Sequence, residues 1–144
     1  MVSFILYFRR KNQVKLLTRD TDYAVRALLY FARNGNHIVS VKELVEEIKM
    51  PWPFLRKILQ ILHKRQFVEA FKGRGGGFIL SVLPQDIFLV DLIEIFQGPF
   101  KLSECIFKKR ICPDINSCIL RQRMNEIERK VIAELKTITI ASLL

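Results

Sequence analysis

A run of glycines sets the firmest limit on this chain. Lys72-Gly73-Arg74-Gly75-Gly76-Gly77 cannot sit inside a helix, where each glycine costs about 1 kcal/mol. It separates Phe67–Phe71 from Phe78–Leu80, two short aromatic and aliphatic runs that read as the strands of a hairpin. Upstream, Ser40 with Glu43 three residues on forms a capping box, so a helix starts at Val41. Val41, Leu44, Val45 and Ile48 give it one apolar face. Met50-Pro51 breaks it, and a second helix follows with Pro53 in its first turn. That helix turns Leu55, Ile58, Leu59 and Leu62 inward and Arg56, Lys57, Gln60 and Lys64 outward. Two short helices at a tight turn, the second basic on its outer face, outline a helix-turn-helix. The hairpin, tipped with Lys72 and Arg74, makes it a winged one. The ordinary alternative is a small helical subdomain with a solvated basic face.

The 144 residues suit one domain with a real core. Residues 1–13 look foreign to the rest of the chain. Their apolar run, Val2 to Phe8, is too short to span a membrane, its charges come after it, and it has no small-residue cleavage site. A start assigned too far upstream is the expectation, with an extra strand or arm as the alternative. Residues 14–98 form the winged-helix part, opened by a helix from Thr18 to Arg33 with Asp20 and Asp22 in its first turn. Tyr23, Ala27, Leu28 and Phe31 make the apolar stripe of that helix. After Pro84, Leu89, Leu92, Ile93 and Phe96 mark a further helix, ended by Gly98-Pro99. Residues 99–118 have no sustained period. Asn116 or Ser117 can cap the last long helix, within 119–144, where Leu120, Met124, Ile127, Val131 and Leu135 recur at near-heptad spacing. That seam predicts a homodimer. The predicted fold class is mainly α with a small β-hairpin wing: a winged helix-turn-helix plus a long C-terminal dimerisation helix.

A net charge of +10 favours a polyanionic partner, double-stranded DNA foremost. No basic amphipathic helix carries the aromatic anchors of a membrane binder. Three cysteines, an odd number, without secretory features argue against a disulfide scaffold and for thiol or metal chemistry in a reducing, cytoplasmic setting. Cys105, Cys112 and Cys118 are spaced C-x6-C-x5-C. Thiolates are soft ligands for iron–sulfur clusters or zinc. Zinc is the weaker reading, because its usual close cysteine pair is missing. The ordinary reading is three unliganded, partly buried thiols. His37 and His63 stand alone, and GRGGG lacks the frame of a phosphate loop, so nothing points to an enzyme.

Taken together, six pieces in order resemble the IscR/NsrR/CymR family of bacterial regulators. They are KLLTRDTDYAVRALLYFA, the helix-turn-helix, GRGGGFIL, DIFLVDLIEIFQGP, the cysteine loop and LKTITIASLL. The resemblance implies a homodimeric winged-helix regulator on an inverted repeat. It also implies an iron–sulfur cluster, of two or four irons, held by Cys105, Cys112 and Cys118. In the IscR-like branch a fourth ligand is a histidine three residues after the last cysteine, and here that position is Arg121. In some NsrR-like members it is an acidic residue early in the first helix of the other subunit, and Asp22 stands there. Glu104, water or a small thiol are the alternatives. Asp22 is otherwise an ordinary carboxylate at a helix N-terminus. The family's DNA contacts map to Pro53, Arg56 and Lys72. Two of these differ from the serine and acidic residue of IscR-like members, so the bases read should differ. Lys57, Gln60, Lys64 and Arg74 complete the predicted DNA surface. Two rival expectations remain: a cluster-free, thiol-sensing DNA-binding regulator, and an iron–sulfur carrier with no DNA site.

Overall fold

The computed structural model of the chain describes residues 15–102 and 117–144. The extension 1–13, Glu104, Cys105, Cys112 and the cap candidate Asn116 lie outside the described residues. Helices α1 Arg19–Asn34, α2 Val41–Ile48 and α3 Trp52–Lys64 come first. Strands β1 Val68–Phe71 and β2 Gly77–Leu80 follow, then helices α4 Leu89–Gln97 and α5 Ile119–Leu135. Short 3-10 turns occupy Pro84–Asp86 and Ala141–Leu143. The described chain is mainly α with one antiparallel hairpin, as its sequence predicts.

Local chemistry sets the helix ends. Thr18 caps α1, its hydroxyl accepting from the Thr21 N–H, and Gly35 stops it at a φ of 58°. Ser40 caps α2 by accepting from the Glu43 N–H at 3.2 Å. The other half of that capping box is diverted: the Tyr30 hydroxyl donates to the Glu43 carboxylate at 2.9 Å and stitches α2 to α1. This bond is the main reason the Tyr30 phenol is held above its ordinary pKa. Helix α3 starts from Pro51 with no side-chain cap.

The main core is built from Ala24, Ala27, Leu28 and Phe31 of α1, Leu44 of α2, and Leu55, Ile58, Leu59 and Leu62 of α3. Val68 joins it from β1, and Ile140 from the end of the chain. The inward face predicted for α3 is the one buried. Each large apolar side chain so covered contributes about 1.5–3 kcal/mol, so this cluster carries much of the drive to fold.

A smaller cluster roots α5. Leu135 packs on Leu89 and Ile93 of α4, with Val131 and Ile138 beside them. The Leu89 N–H bonds the Ile138 carbonyl and the Ile140 N–H bonds the Ile87 carbonyl, both at 2.9 Å, which clamps the chain end to the start of α4. The expected dimer seam is therefore split. Leu135 is buried and Val131 half-buried on their own chain, whereas Leu120 and Ile127 are 71% and 48% exposed. Met124 lies between these extremes. The cap of α5 is Cys118 rather than Ser117, with no side-chain cap bond.

Candidate nucleic-acid interface

Helix α3 exposes one continuous stripe. Trp52, Arg56, Gln60 and Lys64 recur every four residues, so they lie one above another on the same face, and all are exposed. Pro53 and Lys57 flank the stripe and are exposed too. Core burial of Leu55, Ile58, Leu59 and Leu62 leaves these residues no other orientation. Lys57 reaches back to Asp20 of α1 at 3.3 Å, an open surface pair that water screens. The Arg56 guanidinium lies 5.1 Å from the centre of the Trp52 ring, within cation–π reach.

The wing is held to this helix by backbone. The Phe67 N–H bonds the Leu62 carbonyl as α3 hands over to β1. The hairpin pairs Val68 with Leu80 and Phe71 with Gly77. Its tip, Lys72 to Gly75, is exposed and turns through Gly73 and Gly75 at φ values of 96° and 78°. Gly77 has a different job. A Cβ there would run into the Val39 carbonyl, because Val39 and Phe78 exchange backbone hydrogen bonds, both at 2.9 Å. The residue before the α2 cap thus joins the wing as a third, one-residue rung.

Of the cluster candidates, Asp22 and Cys118 are among the described residues. Asp22 lies in the first turn of α1, where its Oδ2 accepts from Arg26 Nε at 2.9 Å, both side chains being well exposed. Cys118 is partly buried at the N-terminus of α5. Among the described residues, no group of three or more His, Cys, Asp or Glu could hold a metal. A polar clamp that sequence reasoning missed ties the neighbourhood of Asp22 to the end of α4. Gln97 Oε1 accepts from the Thr18 N–H at 2.8 Å and from the hydroxyl of fully buried Thr21 at 2.6 Å. Its Nε2 donates to the Leu16 carbonyl at 3.3 Å. Trp52 was also missed. Its signal was available: an aromatic residue at the four-residue spacing of the polar face.

The comparisons with known proteins fit this geometry. The sequence profile described as "Rrf2: Iron-dependent Transcriptional regulator" matches residues 17–144. The chain belongs to the Rrf2 family.

Its relatives include the HTH-type transcriptional regulator NsrR of Bacillus licheniformis, 32% identical over 105 residues. That match covers 72% of this chain and 70% of the relative. The fold resembles the solved structure of CymR, the global cysteine regulator of B. subtilis, with a TM-score of 0.74 and 20% identity. That likeness covers 91% of this chain and 96% of CymR. The T. potens IscR structure matches at a TM-score of 0.67 and 23% identity, over 90% of this chain and 85% of that one. Rrf2 regulators act on transcription through DNA, and that work is not enzymatic. No helix among the described residues of this Rrf2 regulator is long and apolar enough to cross a membrane.

Proposed function

We propose that this Rrf2 regulator binds an inverted-repeat operator as a homodimer, under the control of an iron–sulfur cluster held by Cys105, Cys112 and Cys118. The observation that carries the DNA half is the exposed stripe of α3 beside a basic, backbone-anchored wing. In this reading Arg56 and Gln60 meet base edges, and Pro53 packs beside them. Lys57, Lys64, Lys72 and Arg74 neutralise phosphates or reach the neighbouring groove. A two-fold dimer presents two copies of α3 to two half-sites. The exposed Leu120 and Ile127, with Met124, supply its apolar contact.

The donor chemistry suits a cluster. Cys118 is a free thiol at an α5 terminus that no side chain caps. Asp22 of the opposite protomer is the proposed fourth ligand, and a carboxylate with two oxygens is not used up by one bond to Arg26. Such a group, when bound, supplies a centre that oxidants or nitric oxide can alter. The test is an anaerobic visible spectrum with iron and sulfide assay, beside footprinting on genomic DNA at several salt concentrations. A charge-transfer spectrum lost in Cys118→Ala, with a salt-dependent footprint, is expected. A footprint from colourless, iron-free protein would leave a thiol-sensing regulator. A coloured protein without any footprint would leave an iron–sulfur carrier.

A further inference from the structure

Nearly half of the Trp52 surface is open (47%), and Phe54 is 54% exposed. A large aromatic side chain left in water at the head of a helix gives up burial energy that the fold does not recover. Trp52 opens the stripe that continues through Arg56, Gln60 and Lys64. The indole ring lies 5.1 Å from the Arg56 guanidinium. Arginine free in solvent samples many rotamers, and a ring beneath it narrows that choice before any partner arrives. An aromatic surface can cover the C5-methyl of thymine, the one apolar group in the major groove, while arginine can grip guanine O6 and N7.

We propose that Trp52 is a specificity residue for the DNA sequence this chain reads. Its indole covers the methyl of one thymine per half-site and holds Arg56 ready for a neighbouring guanine. The proposal rests on the DNA-binding reading above and deepens it. It assigns the half-site a thymine close to a guanine, both read from the N-terminal half of α3.

The test uses the full chain and a pool of duplexes with randomised sequence. The best duplex selected by wild type is rebuilt with each thymine replaced singly by deoxyuridine, which removes only the methyl. At one position per half-site wild type should lose about four-fold in affinity, the worth of one buried methyl. Trp52→Ala should be indifferent to that replacement and should also lose preference for the adjacent guanine, by up to the roughly 5–150-fold that one bidentate contact gives. Trp52→Phe should keep part of the methyl dependence. Circular dichroism should show all variants folded, since Trp52 belongs to neither buried cluster. Wild type indifferent to deoxyuridine everywhere overturns the proposal, as does Trp52→Ala with unchanged base preferences. Equal weakening on every duplex also overturns it, by making Trp52 a packing or backbone contact. If wild type enriches no sequence at all, the DNA-binding reading itself fails and this assignment goes with it.

Discussion

Helices α3 and α5 both carry apolar residues three and four apart, and the fold treats them in opposite ways. Helix α3 buries Leu55, Ile58, Leu59 and Leu62 within its own chain. Helix α5 fully buries only Leu135 and leaves Ile119, Leu120 and Ile127 in the open. Periodicity tells which residues share a face. What covers that face is decided by the rest of the chain, or by a second copy of it. The turn at Met50-Pro51 folds α3 back on α1 and α2, so its face closes at home. The start of α5 has no such neighbour among the described residues, so its face suits a partner.

The sharpest way to break this contrast is to cut each face. Leu59→Ala should cost about 2–5 kcal/mol in urea unfolding, by the same amount at every protein concentration. Leu120→Asp with Ile127→Asp should instead leave the helical signal intact and give monomers in sedimentation. A dimer that survives this pair would move the interface off α5. Within the winged-helix part, Gly77→Ala should cost about 1–3 kcal/mol, because the new Cβ meets the Val39 carbonyl, which the Phe78 N–H holds in place at 2.9 Å. An unchanged midpoint would show that the rung between Val39 and Phe78 gives way freely.

Most of this was legible in the sequence where a pattern repeats or a cap is local. The three-four spacing in α3 and the serine before α2 each leave several residues in agreement. The rung at Val39 was not legible, because one residue of pairing shows no alternation. Nor was the clamp on Thr21, since its partner Gln97 is 76 residues away. The α5 seam was half legible: its spacing is real, but Leu135 and Val131 answer to Leu89 and Ile93, a contact that only the folded chain reveals. Glu43 marked the right helix start for a reason only partly right, because its carboxylate serves Tyr30.

Two smaller effects sharpen the contrast further. Tyr30→Phe should flatten the alkaline limb of the stability curve. The bond to Glu43 raises the folded phenol's pKa, so its contribution is full below the unfolded value near 10 and is lost as pH rises through the raised one. Unfolding midpoints from pH 8 to 11, taken for both proteins, read this directly, and parallel curves would deny the bond its weight. Arg74→Ala should leave stability alone, weaken every duplex alike, and lower the salt slope of binding by about one. A changed base preference in that variant would make the wing tip a reader of sequence.

The way α5 is fixed has a mechanical consequence. Seventeen residues make a rod about 25 Å long, seated at Leu135 against α4, with Cys118 at its far end. Such a rod is a lever arm. A rotation of roughly five degrees at its seat carries the tip through about 2 Å, a lever ratio set by helix length alone. Run backwards, the same gearing divides: a tip displacement of that size reaches α4 as a small turn rather than a slide. The chain beyond that seat then runs on to Ile140, in the same core as α3.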